Sequence, residues 1–463
     1  MNIVTELMHE LVNCSSLFEV EELILSTVMK WAQEIMKNFL ESYDQVLMDQ
    51  VPDSYRVINR QERTITFAFG PVTFNRRYYK TDDQQMMFYL DQELAIEARR
   101  RLSPYYRKMM ALVAQTTTMR NTVTVLNLLF NSGVTVDSVM HAVHDLGAPI
   151  KEATKHNEQA VVPCYVPTNL TIEGDAFVIK LKSQELNQAR WAEVHHFRVY
   201  ERIKGKIVNR HDFLELGNLN RARARVSDYL DRHYKLNDQT IFLASDGGPG
   251  YDPQAMKALV PVNAQGEYFI DRYHCLRKIE MTLGHDNKLT PLAIKAIRQY
   301  DKTALTAVLD THESFELSSK QLDDLERLRS YLHRNWDYLS SPKQRDYHGI
   351  GMIGSIESAH RAFTYRMKKQ GKTWTENGAQ AMLNLIEARV NGHLEISLEQ
   401  ILKQEMKLPE VGKPALLQEM KIQMRPFLRK IPSKPSRGSI NGRIFIDAPT
   451  SSPFGHLVKS FTH

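Results

Sequence analysis

Cysteine is scarce in this 463-residue sequence, and its three copies, Cys14, Cys164 and Cys275, lie far apart. This spacing excludes a disulfide framework and a structural zinc site built from cysteine alone. No run reaches the ~18 apolar residues of a membrane-spanning helix. The opening MNIVTELMHELVN carries acids where a signal peptide needs basic residues. We therefore expect a soluble, cytoplasmic protein with no membrane partner.

Net charge is also low, because 60 Lys+Arg residues face 54 Asp+Glu residues and leave +6. The charge is unevenly distributed. Residues 421–463 hold eight basic residues and one acid, and residues 56–120 hold twelve basic residues and six acids. Such segments suit a polyanion partner, although a solvated surface explains each segment about as well. At roughly 150 residues per domain, the length predicts about three domains.

The N-terminal third combines helices with one hairpin. Apolar residues at helical spacing predict a long helix over 17–48, and TITFAFGPVTFNRRYYK alternates like a β-hairpin. Two short helices around Asn131-Ser132-Gly133 fit a helix-turn-helix, but the second has no Arg or Lys with which to read bases. We therefore expect DNA contact from other residues: Arg99, Arg100, Arg101, Arg107 and Lys108. Arg76 and Arg77 of the hairpin are further candidates beside aromatic residues, although a small sheet packing on helices explains them too.

The centre of the chain predicts a mixed α/β sheet. Three strand-like runs come first, LTIEGDAFVIKL, AEVHHFRVYERI and KIVNRHDFLEL, and the order continues helix, strand, helix, strand, helix. In sheets of this class, ligands bind beyond the strand ends. Residues 285–345 show helical stripes and no strand signal, which predicts an all-helical insertion.

Asp175 is the most unusual acid, because it shares a strand face with Phe177, Ile179 and Leu181. A buried charge there needs a cation, a donor or a partner. Metal ligation is the favoured interpretation, and pairing with Arg198 or Lys180 is the alternative.

Two further acids lie at the ends of secondary-structure elements. Asp246 ends the strand TIFLASD before a Gly-rich turn, where a turn role is the simpler explanation. Glu357 opens a helix that we expect Ser355 to cap, and the helix dipole alone would favour an acid there. Basic residues follow on and after this helix and are candidate DNA contacts: Arg361, Arg366, Lys368, Lys369 and Lys372.

Histidines complete the candidate site. His274, three residues after Asp271, could bind a phosphate, support a carboxylate or cap the next helix. His195 and His196 point to opposite faces of a strand, so a joint metal site there is not expected. Together, Asp175, Asp246 and Glu357 could hold two Mg²⁺ or Mn²⁺ ions, which prefer oxygen ligands and serve phosphoryl transfer when ~3.5–4 Å apart.

An ordered set of segments resembles the DDE transposases of bacterial insertion sequences, most closely the ISLre type, which is related to the Mutator-like group. The set runs from about residue 65 to 390: GPVTFNRRYY, LSPYYRKMM, NLTIEGDAF, LASDGG, EYFIDRYHCLRKI, YLHRNWDYL and IGSIESAHRAFTYRMKKQGKTWTENGAQAM. The resemblance implies an RNase H-like fold with Asp175, Asp246 and Glu357 as catalytic metal ligands. It also matches Asp271 and His274 to a [C/D]xxH signature.

The resemblance and the residues together predict an α/β protein with an RNase H-like catalytic domain, an all-helical insertion and an α+β DNA-binding N-terminal region. The expected divisions are 1–55 helical, 56–100 hairpin and basic segment, 101–165 helix-turn-helix-like, 166–284 first part of the catalytic core, 285–345 insertion, 346–400 glutamate helix and 401–463 basic tail.

The implied function is metal-dependent cleavage of double-stranded DNA at element ends and strand transfer into target DNA, by a homo-oligomer on DNA. His274 would assist at the phosphate. Two alternatives remain at this stage. One is an RNase H-like, structure-specific nuclease without strand transfer. The other is a non-catalytic, domesticated DNA-binding protein, which the unusual DGGPG after the second acid keeps open.

Overall fold

The computed structural model describes residues 3–428 apart from 131, 160–163, 184–188, 285–287, 352, 370–371, 407 and 409–412. The chain forms two compact units. One comprises residues 1–63, 74–90 and 410–463, and the other comprises residues 64–73 and 91–409. Most of the basic tail predicted for 401–463 lies outside the described residues. No helix within the described part is long and apolar enough to cross a membrane.

Eight strands and seventeen α-helices are described. The strands are β1 Arg56–Phe67, β2 Gly70–Lys80, β3 Met86–Met87, β4 Leu170–Lys182, β5 Ala189–Ile203, β6 Lys206–Leu216, β7 Thr240–Ser245 and β8 Gln265–Ile270. The helices are α1 Ile3–Val12, α2 Leu17–Leu47, α3 Tyr89–Glu93, α4 Pro104–Ala114, α5 Met119–Phe130, α6 Val136–Gly147, α7 Ile150–Gln159, α8 Leu219–His233, α9 Pro253–Lys257, α10 Arg272–Leu283, α11 Leu289–Gln299, α12 Lys302–Glu313, α13 Ser319–Asn335, α14 Ile356–Met367, α15 Glu376–Val390, α16 Leu394–Leu402 and α17 Lys413–Leu428.

In the first unit, α17 packs on the long helix α2. Two arginines predicted to contact DNA are buried here. The Arg77 guanidinium donates to Asp44 at 2.5 Å, and the Arg76 guanidinium lies 3.3 Å from the centre of the Phe88 ring. Their exposed fractions are 5% and 8%. Both side chains pack inside the unit, as a small sheet packed on helices would require, and their DNA contact stays a prediction.

The second unit is built on a five-stranded mixed sheet in the order β6-β5-β4-β7-β8. The first three strands are antiparallel, and β4, β7 and β8 run parallel. This confirms the predicted mixed α/β sheet. Between residues 289 and 335 the described elements are the three helices α11, α12 and α13. The helices α5 and α6 of the predicted helix-turn-helix are also present, and α6 packs against α4 and α15.

Alternation along β4 assigns its residues to two cores. Leu170 and Ile172 belong to a core with α8 and α10–α13, whereas Phe177, Ile179 and Leu181 belong to a core with α4–α6 and α14–α16. Because side chains alternate between sheet faces, the second set shares its face with the acids Glu173 and Asp175. Helix α14 packs on β4, so the helix that carries Glu357 lies beside these acids.

Candidate metal centre

The parallel strands bring three acids to one level of the sheet. Glu173 of β4 pairs with Ala244 of β7, and Ser245 of β7 pairs with Ile270 of β8. Extending the first pairing by two residues on each strand places Asp175 beside Asp246. Extending the second pairing by one residue on each strand places Asp246 beside Asp271. Asp246 and Asp271 follow the carboxyl ends of β7 and β8, which is where this sheet class binds ligands, and Asp175 lies beside them within the longer strand β4.

Asp175, His274 and Glu357 converge most closely. Each offers one ligand atom, and these three atoms lie within 4.8 Å of one another. Asp246 lines the same small depression as Asp175 and His274, together with Asp271. The structure therefore brings all four predicted catalytic residues to one place, although Asp246 is not in the tightest group. Asp246 also accepts a hydrogen bond from the backbone N–H of Gly248 at 2.8 Å, as a turn residue would.

The electrostatics favour a bound cation. Burial raises the pKa of Asp175 to about 7, and the charges of Asp246 and Glu357 add to the rise. Neither alternative partner neutralises Asp175: Arg198 donates to Asp212 at 2.7 Å, and Lys180 is exposed. A divalent cation would relieve the repulsion among the acids, and carboxylates are ligands that Mg²⁺ and Mn²⁺ accept. The residues present therefore fit such an ion.

This raised pKa predicts a pH dependence of stability. Without metal, the folded state holds the Asp175 proton up to about pH 7, whereas the unfolded chain releases it near pH 4. Wild-type protein should therefore lose stability relative to Asp175→Asn as pH rises from 5 to 8, by up to about 3 kcal/mol. Urea unfolding of both proteins in EDTA at the two pH values measures the difference. If the difference in unfolding free energy between the two proteins stays constant with pH, the raised pKa of Asp175 is contradicted.

His274 is oriented by Asp271. Asp271 caps α10 by accepting from the Tyr273 N–H at 2.9 Å, and its second oxygen is 2.9 Å from Nδ1 of His274. The other ring nitrogen, Nε2, lies 3.9 Å from Glu357. The helix-capping role considered for His274 therefore belongs to Asp271. This arrangement resembles a metal-site histidine whose second nitrogen is held by a carboxylate.

The hydrogen bond with Asp271 is the largest cause of the raised pKa of His274. We expect Asp271→Asn to lower that pKa, because the amide no longer favours the imidazolium form. Titration of the histidine ring signals by NMR, with His274→Gln to assign the resonance, measures the shift. An unchanged His274 pKa in Asp271→Asn would show that the contact does not control the ring.

Glu173, which the sequence analysis did not single out, holds the start of α14. It is fully buried, and its carboxylate accepts from the backbone N–H groups of Gly354 (2.7 Å), Ser355 (3.1 Å) and Ile356 (2.7 Å). The Ser355 hydroxyl donates to it at 2.8 Å, and Tyr200 donates from β5 at 2.8 Å. The expectation that the Ser355 side chain caps α14 is therefore wrong. Glu173 takes that role, because a carboxylate at a helix N-terminus satisfies several donors at once.

His360 was also missed. Its Nδ1 lies 3.7 Å from Asp175 and 3.6 Å from Glu357, and burial lowers its pKa to about 3. A neutral imidazole is thus available beside both acids. Its spacing of three residues after Glu357 would have placed it on the same helix face. Glu173 could have been recognised as a site residue from the sequence, because it lies two residues before Asp175 and therefore on the same face of the strand. The neighbouring pair His195 and His196 contacts Tyr251 and Asp212 instead.

The remaining residues predicted to contact DNA fall into two groups, those that are buried or paired with acids and those that are exposed. Arg107 is paired with Glu405, Lys108 donates to Glu399 at 2.7 Å, and Arg366 is 1% exposed. Arg107 and Arg366 are therefore buried and do not lie on an exposed surface. Arg100 pairs with Glu97 and Asp145. Lys372 is half-buried, and the others are exposed: Arg99, Arg101, Arg361, Lys368 and Lys369.

Fold and site together define a mixed α/β protein with a carboxylate–histidine cluster suited to a divalent metal. The chain belongs to the Uncharacterised protein family (UPF0236), whose family model matches residues 10–404. One relative is the UPF0236 protein in vanSb 3'region of Streptococcus gallolyticus, which is 28% identical in sequence over 475 aligned residues. The alignment covers 99% of this chain and 100% of the relative. Among solved structures, the Drosophila P element transposase strand transfer complex matches 71% of this chain and 89% of its own, with 9% identity and a TM-score of 0.25. That likeness is too weak to carry an argument.

Proposed function

We propose that this protein is a DDE-type DNA transposase of the bacterial insertion-sequence class, of the ISLre type, with an RNase H-like catalytic core. The observation that carries the proposal is the convergence of Asp175, His274 and Glu357 within 4.8 Å, with Asp246 beside them. In support, the five-stranded mixed sheet and the helical insertion before α14 agree with the fold that the sequence resemblance implies.

The carboxylates of Asp175, Asp246 and Glu357 would hold Mg²⁺ or Mn²⁺. When bound, such ions activate an attacking oxygen and stabilise the leaving oxygen of a phosphodiester. Glu173 fixes the helix that carries Glu357. Asp271 orients His274, whose ring can donate a hydrogen bond to a phosphate oxygen.

DNA would be held by exposed cations near this centre. Arg361 lies one turn after Glu357 on α14, and Lys368 and Lys369 follow the end of that helix. Arg99 and Arg101 provide a second exposed basic group in the N-terminal DNA-binding region. Because two element ends must be brought together, the proposal includes a homo-oligomer on DNA. It also includes the division of the chain into the seven parts predicted from the sequence.

The test is a cleavage and joining assay with the DNA that flanks the gene. We expect Mg²⁺-dependent cleavage at the element ends, and joining of a pre-cleaved 3′-OH end to a target plasmid, both resolved on gels. Cleavage without any joined product would favour a structure-specific nuclease. DNA binding with neither reaction would favour a non-catalytic DNA-binding protein.

A further inference from the structure

A cavity of about 500 Å³ opens in the second unit, away from the acids. It lies among α5, α6, the end of β4 and residues 372–375. Its wall combines the apolar side chains of Met119 and Met140 with the cations Arg120, Lys182 and Lys372. Among the described residues that line it there is no Asp or Glu. The cavity is therefore positively charged and partly apolar.

Arg366 lines this cavity and lacks a counter-charge among the described residues. It is 1% exposed, its Nε donates to the Ala114 carbonyl at 2.7 Å, and its Nη2 contacts the Met119 sulfur at 3.7 Å. Its Nη1 is buried with no hydrogen-bond partner in the described part of the chain. Burial lowers the pKa of Arg366 to about 10, and the group remains charged at pH 7. A buried charge without an opposite charge is costly, so an anion in the cavity would stabilise it.

Lys372 adds a second cation at the same place. Its Nζ lies 5.9 Å from the centre of the Trp374 ring, and the Arg366 guanidinium lies 4.8 Å from that ring. Burial, with a contribution from Arg366, lowers the pKa of Lys372 to about 8. Its Nζ also donates to the Arg366 carbonyl at 3.4 Å, so both cations add positive charge to the same wall of the cavity.

We propose that this cavity binds a nucleotide, with Arg366 and Lys372 as the partners of its phosphate and the methionine side chains against its base. A lone phosphate would leave most of the ~500 Å³ empty, whereas small-molecule pockets of roughly 300–1,000 Å³ enclose ligands of nucleotide size. The exposed rim cations Arg120 and Lys182 would contact a second phosphate or guide the ligand inward.

The nucleotide could be free or part of a DNA strand, because the phosphate chemistry is the same. Arg366 lies nine positions after Glu357 on α14, which is roughly 14 Å along the axis and about two and a half turns, so the two side chains project from opposite faces of the helix. The cavity is therefore separate from the metal centre. The proposal goes beyond the proposed function and does not require it, since the cavity residues are not those of the metal centre.

Binding of dTMP, thymidine and a labelled eight-residue oligothymidylate tests the proposal. Equilibrium dialysis suits the small ligands, and fluorescence anisotropy suits the oligonucleotide. We expect Lys372→Ala, and separately the rim variant Arg120→Glu with Lys182→Glu, to weaken binding about tenfold or more, because charge-assisted hydrogen bonds are lost. Lys320→Glu on α13, an exposed cation outside the cavity, is the matched control and should bind as wild type does.

Each possible result either supports or overturns nucleotide binding in the cavity. Binding of dTMP that these variants weaken supports a site that accepts free nucleotide, and binding of the oligonucleotide alone with the same losses supports a site for a DNA strand. The proposal is overturned if neither dTMP nor the oligonucleotide binds. It is also overturned if the cavity variants bind these ligands as tightly as wild type does, or if thymidine competes as well as dTMP. Asp175→Asn should leave this binding intact, so failure of the metal centre is distinguishable from failure of the cavity.

Discussion

Replacing Asp175 by Asn is expected to lower metal-dependent DNA cleavage about a thousandfold or more, because a metal ligand that supplies several kcal/mol of transition-state stabilisation is lost. DNA affinity should stay within about twofold of wild type, since phosphate contacts come from cations elsewhere. Cleavage assays on element-end DNA and anisotropy with the same duplex measure the two effects. The Asn side chain is nearly isosteric, so the fold should survive.

Asp228→Asn is the matched control, because Asp228 is a half-exposed acid on α8 that pairs with Arg232. It should cleave as wild type does. Cleavage retained by Asp175→Asn would remove Asp175 from the catalytic centre. A loss of DNA affinity together with cleavage would instead indicate a defect in binding or folding.

Replacing Glu173 by Gln should release the start of α14. The glutamine amide can accept on one oxygen only, and its NH₂ would face backbone donors, so buried N–H groups lose their partner. We expect a loss of about 3–5 kcal/mol in stability and at least about tenfold in Mn²⁺ affinity, because Glu357 is no longer held in place. Calorimetric Mn²⁺ titration and hydrogen exchange of residues 354–357 measure both effects.

Glu201→Gln provides the control for that experiment. Glu201 is a buried carboxylate on β5 that accepts from the Thr168 N–H at 2.8 Å, and among the described residues it makes no hydrogen bond or ion pair with α14. It should lower stability while leaving Mn²⁺ affinity unchanged. Wild-type Mn²⁺ affinity and wild-type exchange protection in Glu173→Gln would show that Glu173 does not position the centre.

Local patterns were sufficient to predict the elements of the sheet and its most unusual acid. The alternation of Phe177, Ile179 and Leu181 predicted β4 and exposed Asp175 as an acid among apolar neighbours. The end of TIFLASD placed Asp246 at a strand terminus. These inferences needed only residues close in the sequence, because strand periodicity is a local property.

Contacts between distant segments could not be predicted in this way. Glu173 binds backbone groups more than 180 residues later in the chain, and Arg107 pairs with Glu405. Arg107, which has a basic neighbour in the sequence, therefore looked like a DNA contact, although its acid Glu405 lies after the end of α16, far along the chain. The same reason applies to Arg366, which was predicted to contact DNA and is buried with its Nε donating to the Ala114 carbonyl of α4.

The central claim is that the carboxylates of Asp175 and Glu357, beside His274, hold a divalent cation. Anomalous diffraction from crystals soaked in Mn²⁺ tests it most directly. We predict a peak at roughly 2.0–2.5 Å from carboxylate oxygens of Asp175 and Glu357, a distance typical of oxygen ligands of hard cations. Ordered density for these side chains with no peak between them, or a peak only elsewhere, would contradict the account.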